Sequence, residues 1–338
     1  MKTLVCVKPG QFEYEDRSVP VLKPGHAIIK IKRVGICGTD LHAYEGTQPY
    51  FNYPRILGHE LSGDLMDADG AEGFVPGEAV TIIPYFNCGH CIACRNGKPN
   101  CCVSINVCGV HIDGGMNEYF SVPSYSLVHG QGLSYDELAM IEPFAIGAHG
   151  VRRAAIQPDE YVLVVGGGPI GLGTMAFARA AGANVIAMDL NEWRLNFCTE
   201  KLGIKHVINP AKENVSERLR EITNNDMPVV VIDATGSKKA IEQGIDWLAH
   251  GGRYVLIGLQ KENICFSHPE FHKRESTLMS SRNATRADFE HVIDAIKKGL
   301  VLPESFITQR VGFDEVKDSF ESWLHGANAV IKPMVFFK

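Results

Sequence analysis

No stretch of this sequence stays apolar for the ~20 residues that a bilayer-spanning helix needs. Its longest apolar runs are short and broken by glycine or charge. A helical membrane anchor is therefore not expected. Basic runs are also missing, and the formal net charge is −6, so nucleic acid is excluded as an expected partner. The opening MKTLVCVKPGQFEYED has too short an apolar part for a secretory signal and turns acidic at once. A cytoplasmic protein is expected. Neither an internal repeat nor a low-complexity tract is present, which removes solenoids and disordered linkers from consideration.

What is present is an ordinary globular composition, 45% hydrophobic and 21% charged over 338 residues. That length allows two domains with cores of their own. Ten cysteines are many for a cytoplasmic chain. In a reducing compartment they are expected as thiols or metal ligands, and spacing separates the two. Cys6, Cys198 and Cys265 stand alone in apolar stretches and are expected as small core residues. Cys108 is read as packing.

The first 140 or so residues run in short β-type segments such as HAIIKIKRVGI, ELSGDLMDA, EAVTIIPYF and NEYFSVPS, punctuated by glycine and proline. From Tyr161 the rhythm changes. Short Val/Ile-rich strands (YVLVVG, NVIAMD, HVIN, VVVIDATG, RYVLIGL) alternate with helical stretches, among them KKAIEQGIDWLAHGG. Strands apolar on both faces fit a parallel sheet covered by helices, and the order fits a doubly wound α/β fold. STLMSS is a candidate last strand. The tail from about Ala284 lacks this pattern and is expected to return to the β-rich unit.

VVGGGPIGLG places Gly166, Gly168 and Gly171 in a G-x-G-x-x-G pattern, with Pro169 and Ile170 inside it. It follows a strand and opens a helix, the context in which such a turn cradles a pyrophosphate at a helix N-terminus. The next strand ends on Asp189, 18 residues beyond Gly171. A carboxylate there binds ribose hydroxyls and repels a 2′-phosphate, so NAD is expected over NADP. Arg194 is a candidate for the adenine face, or a plain surface arginine. Gly258 and Ser281 are candidates for the nicotinamide side.

CGHCIACRNGKPNCC sets Cys88, Cys91, Cys94 and Cys102 at spacings of two, two and seven intervening residues, with Cys101 a near alternative for the fourth. Four thiolates from one lobe make a closed tetrahedral site suited to Zn²⁺, with an iron–sulfur cluster as the chemical rival. With no open position, such a zinc is structural. His90 is expected to be exposed rather than a ligand. A second, catalytic zinc would need about three protein ligands and one open position. Cys37 offers a thiolate, His59 an imidazole, and Glu60 or Glu142 a carboxylate. They are far apart in sequence, and taken singly each fits a buried packing position as well.

Together the motifs say more. GICGTDLHAYEG…YPRILGHELSG, the cysteine lobe, GGMNEYFSVP, EPFAIGAHGV and VVGGGPIGLG follow in this order, and the sequence resembles the zinc-dependent medium-chain dehydrogenase/reductase family. The resemblance implies a GroES-like β-rich catalytic domain over 1–143 and 282–338, with a zinc lobe at 86–104. It implies a Rossmann NAD-binding domain over 144–281. Two zinc ions and NAD are the implied cofactors. Cys37, His59 and Glu142 are implied as catalytic zinc ligands, with Glu60 a direct or alternating one. Thr39 is implied to take the proton of the alcohol, and His42 to pass it to solvent. Asp40 would hold a ligand in orientation. The family also implies a homodimer or homotetramer, for which 253–267 is the expected edge.

Glutamate at Glu142 resembles the polyol and threonine dehydrogenase branches. The stretch AYEGTQPYFNYPRIL supplies aromatics, Tyr44, Tyr50, Phe51 and Tyr53, beside Glu45 and Gln48, which suits a polyhydroxylated substrate. It resembles bacterial hexonate dehydrogenases that oxidise L-galactonate or L-gulonate at the fifth carbon. The expected reaction is oxidation of a secondary alcohol of a sugar acid to the keto acid, with hydride passing to NAD. A sugar acid needs a cation for its carboxylate, and Arg282 with Asn283 is the candidate pair. Polyol and L-threonine dehydrogenases are the rival activities. The rival class is a non-enzymatic zinc- and nucleotide-binding regulator, against which the intact Cys37, His59 and Glu142 set stands.

Overall fold

The computed structural model describes residues 1–48, 51–325 and 330–338. Tyr50, one of the aromatics named above, lies outside them. The chain divides into two compact units. One comprises 1–143, 284–297 and 302–338; the other comprises 144–283 and 298–301. No helix among the described residues is long and apolar enough to cross a membrane.

The first unit is built on the strand His26–Gly35. Along one edge it pairs antiparallel with Glu60–Ala68; its other edge is shared by Tyr119–Pro123 and Lys332–Phe336. Leu4, Ile29, Ile31, Leu57, Leu61 and Phe320 are among the fully buried side chains of its core. The pairing register decides where the chemistry lies. Gly35, at the strand's end, sits opposite Glu60 on one neighbour and Met334 on the other. Cys37 follows Gly35, His59 precedes Glu60, and Lys332 opens its strand. Three strand ends thus deliver these side chains to one place.

The second unit holds a six-stranded parallel sheet. Its order in space is His206–Ile208, Asn184–Met188, Tyr161–Val165, Val230–Asp233, Arg253–Leu256, Thr277–Ser280. Numbered along the chain this is 3-2-1-4-5-6, the doubly wound dinucleotide order. Val162, Leu163 and Val164, and Val230 to Ile232, have essentially no exposed surface, as a sheet covered on both faces requires.

Several expectations change. The helix expected over KKAIEQGIDWLAHGG ends early, at Lys238–Gln243. The Tyr254 hydroxyl, from the following strand, donates to the Ile241 carbonyl at 3.0 Å and occupies an acceptor that a longer helix would use. The stretch 253–267 does not form the sheet's edge: Arg253–Leu256 is an interior strand, and Thr277–Ser280 lies outside it. Cys6, Cys108 and Cys198 are fully buried, but Cys265 is exposed. Its apolar neighbours Leu259 and Phe266 are also exposed, so local hydrophobicity there did not signal a core.

Candidate active site

Cys37 stands at the N-terminus of the helix Gly38–Glu45. Asp40, with no exposed surface, ties the site together. One of its oxygens accepts from the Cys37 backbone N–H at 2.9 Å, the other from the Gly58 N–H at 3.2 Å. A single buried carboxylate therefore fixes the segments carrying Cys37 and His59. The His59 ring is buried, and its Nδ1 lies 3.7 Å from Asp40 with no hydrogen bond of its own. The donor atoms of Cys37, His59 and Glu60 all lie within 4.8 Å of one another. Burial alone would lower the His59 pKa, but Asp40, then Cys37, then Glu142 raise it well above the usual value. Asp40, Cys37 and Glu142 thus all favour positive charge at the buried His59, and a divalent cation would answer them. A thiolate, an imidazole and a carboxylate are a donor set that suits zinc.

Glu142, near the start of the helix Ile141–Ala154, is buried and accepts a hydrogen bond from the Tyr85 hydroxyl. Burial pushes its pKa up to about 7. Glu60 is buried too, with both oxygens on the Lys332 ammonium, at 2.5 and 2.6 Å. Sequence reading found neither Tyr85 nor Lys332. Tyr85 lies 57 positions from its partner and Lys332 lies 272 from its own. Neither residue sits in a motif. Thr39 is half-buried on the helix beside Cys37. The His42 ring is 63% exposed, with Nδ1 3.2 Å from the Thr47 hydroxyl. That places His42 where a proton can reach water.

The aromatic expectations fare differently. Tyr44 belongs to the core: its ring stacks on Phe12, and its hydroxyl lies 3.0 Å from two acceptors for its one proton, the Gly10 carbonyl and Glu321. It does not face a substrate. Phe51 is half-buried against the same core, edge-on to Tyr53, whose hydroxyl donates to the Ala43 carbonyl. The spacing of these aromatics reflects packing.

In the lobe, the sulfurs of Cys88, Cys91, Cys94 and Cys102 lie within 4.8 Å of one another, and none is in a disulfide. Backbone N–H groups aim at them: Cys88 N at Cys102 Sγ (3.3 Å) and Cys91 N at Cys88 Sγ (3.4 Å). The Cys94 backbone N–H, then that of Val103, lowers the Cys91 thiol to about 6. Four converging sulfurs with N–H donors fit a closed zinc site. Cys101 is exposed and outside the cluster; His90 is exposed, with Nδ1 on the Cys88 carbonyl.

In the second unit, Tyr161–Val165 leads through Gly166 to the helix Pro169–Ala180, whose N-cap is Gly168 and first residue Pro169. Ile170 follows in the first turn. A Cβ on Gly171 would lie 1.8 Å from the Gly166 carbonyl oxygen, so no other residue fits there. A Cβ on Gly168 would meet nothing within 4 Å, which leaves an open approach to the helix N-terminus. This is the cradle a pyrophosphate needs. Asp189 accepts from Gly167 N at 2.5 Å and from Asn191 N at 2.7 Å, with the Arg194 guanidinium 3.8 Å away. Gly258 lies just beyond Arg253–Leu256. Ser281 is buried beyond Thr277–Ser280, its hydroxyl without a hydrogen bond. Arg282 is exposed beside it and Asn283 half-buried, at φ +51°.

Residues 23–131 match the alcohol dehydrogenase GroES-like domain, and residues 169–298 match the zinc-binding dehydrogenase domain. An L-galactonate-5-dehydrogenase of Escherichia coli (strain K12) is 41% identical, over 100% of this chain and 99% of its own length. The chain belongs to the zinc-dependent medium-chain dehydrogenase/reductase family. Among solved structures, a short chain alcohol dehydrogenase from E. coli complexed with NADH superposes with a TM-score of 0.94 at 32% identity, covering 100% of this chain and 99% of that one. A zinc-binding dehydrogenase from Sinorhizobium meliloti bound to NADP gives 0.92 at 27%, covering 99% of each. The fold of this family member is accordingly a GroES-like unit with a Rossmann sheet, and its reaction class is zinc-type alcohol dehydrogenation. Zinc and a nicotinamide dinucleotide are the cofactors of the family, and the donor sets and glycine cradle described above fit both.

Proposed function

We propose that this enzyme oxidises a secondary alcohol of a sugar acid, a hexonate such as L-galactonate or L-gulonate, to the keto acid with NAD. The observation that carries this reading is the end-to-end 41% identity to an L-galactonate-5-dehydrogenase, on a chain whose Cys37 and His59 converge beside Glu60. Cys37 and His59 would hold the catalytic zinc with a carboxylate from Glu142 or Glu60. Cys88, Cys91, Cys94 and Cys102 would hold the structural zinc. Bound zinc lowers the pKa of an alcohol, and bound NAD accepts the hydride.

The chain's own residues do the rest. Asp40 keeps the Cys37 and His59 segments in register. The Thr39 hydroxyl takes the substrate proton, and the exposed His42 passes it to water. The turn from Gly166 to Gly171 presents helix N–H groups to the pyrophosphate. Asp189 accepts from the ribose hydroxyls and disfavours a 2′-phosphate. The carboxylate of the substrate requires a cation, and Arg282 is the candidate.

The test is the initial rate of NADH formation on L-galactonate, L-gulonate, L-idonate, D-sorbitol, galactitol and L-threonine, each with NAD and NADP. One hexonate is expected to exceed the polyols and threonine by at least about 100-fold in kcat/KM. A site built to pair a carboxylate is left unpaired by a polyol, and that penalty is of this order. Faster turnover of a polyol or of threonine would overturn the hexonate reading and leave the zinc chemistry standing.

A further inference from the structure

His42, the last stop of the substrate proton, has two ring nitrogens, and only a bare one can accept. Its surroundings select which. Thr39, His42 and Glu45 stand three apart on the helix Gly38–Glu45, so they form one row along its surface. Asp40, Ala43 and Tyr44 are buried on the other face. The helix ends at Gly46, whose φ of +86° suits glycine. A Cβ there would also lie 3.0 Å from Pro9 Cγ. The turn folds the chain back, and the Thr47 backbone N–H donates to the His42 carbonyl at 2.9 Å. Thr47 is thereby brought beside the His42 ring.

Three contacts close on one another there. His42 Nδ1 lies 3.2 Å from the Thr47 hydroxyl, that hydroxyl lies 2.9 Å from Glu45 Oε2, and the same oxygen lies 3.6 Å from His42 Nδ1. A hydroxyl has one proton to give and lone pairs with which to accept. The carboxylate only accepts, and it is nearer to the hydroxyl than the His42 carbonyl, at 3.4 Å. The Thr47 proton therefore goes to Glu45, and toward His42 the hydroxyl acts as acceptor. Nδ1 must then carry hydrogen. In a neutral ring this leaves Nε2 bare, as the base. A free histidine side chain in water favours the opposite form, with hydrogen on Nε2.

We propose that Thr47 and Glu45 are positioning residues that hold His42 in its Nδ1–H form, so that Nε2 is free to accept the substrate proton. The imidazolium so formed gives up a proton to water, and the ring returns to the same form. This rests on the reading of His42 as the end of the proton path. The full-length, zinc-loaded protein, labelled with ¹⁵N in its 13 histidines, provides the test, because two-bond ¹H–¹⁵N correlation spectra show which ring nitrogen carries hydrogen. His42→Asn identifies the His42 signals by their loss. The unmodified protein is expected to show His42 as Nδ1–H. Thr47→Val removes the hydroxyl, and Glu45→Ala frees the hydroxyl to donate to Nδ1. Each is expected to move the ratio of forms toward Nε2–H about fivefold, the factor for one hydrogen bond. Each is also expected to lower kcat on the fastest substrate of the panel by about the same factor, with KM little changed. Thr47→Ser is expected to keep both the form and the rate.

An unmodified protein with His42 as Nε2–H would overturn the proposal. So would a Thr47→Val spectrum identical to that of the unmodified protein. If Thr47→Val does not fold, Glu45→Ala decides in the same way. The hold on the ring and the proton path fail separately. An unchanged kcat in His42→Asn, where the unmodified protein shows Nδ1–H, would overturn the reading of His42 itself, and the role given to Thr47 and Glu45 with it.

Discussion

Replacing Cys37 with serine is expected to lower kcat/KM about a thousandfold or more, while the fold and the zinc of the four-cysteine lobe survive. A metal ion contributes several kcal/mol of charge stabilisation to such a reaction. Each 1.36 kcal/mol is about tenfold in rate, so losing the ion costs on the order of three decades. Serine keeps the shape of the side chain but is not an anion at neutral pH. It also caps helices well, and Cys37 stands at the N-cap of Gly38–Glu45, so the helix should persist. Rate, circular dichroism and zinc per chain are read together. Zinc is expected to fall from two ions to one. An unchanged rate would remove Cys37 from the chemistry.

The second large effect concerns the cofactor. Asp189→Asn is expected to lower kcat/KM for NAD by about 10–100-fold, with kcat little changed. A hydrogen bond to a charged group is worth about 1.5–3 kcal/mol, which converts to that range. Asparagine keeps only one of the two oxygens that now accept from the Gly167 and Asn191 N–H groups, so one of these bonds is lost together with the charge. With the negative charge gone, the Arg194 guanidinium beside it is left to meet a 2′-phosphate, and use of NADP should rise. Solved relatives carry either cofactor, so this is a residue-level test. Equal NAD:NADP ratios before and after the change would show that Asp189 does not set the preference.

How legible each feature was depended on how local its physics is. The cysteine lobe could be read because its four cysteines fall within 15 residues, and the structure brings their sulfurs within 4.8 Å of one another. The dinucleotide turn could be read because strand, glycines and helix are contiguous, and steric close approach dictates the glycines. The strand–helix alternation gave the doubly wound sheet for the same reason. The Glu60–Lys332 pair could not be read that way. Only the strand pairing of Gly35 with Glu60 and Met334 brings Lys332 to the site. Tyr44 misled because an aromatic looks the same in sequence whether it stacks on Phe12 or faces a ligand. The helix after Ser237 stopped short because a tyrosine from a later strand captured its carbonyl.

The central claim is that the ion held by Cys37 and His59 is what makes the enzyme turn over. The most direct measurement is stepwise removal of zinc from the unmodified protein with a chelator. Bound zinc per chain and the initial rate of NADH formation from the best substrate are followed in the same samples. The rate is expected to fall in proportion to loss of one zinc, reaching its floor while the second remains in the cysteine lobe, and to return on adding zinc back. A rate that holds steady as that first zinc leaves would contradict the account.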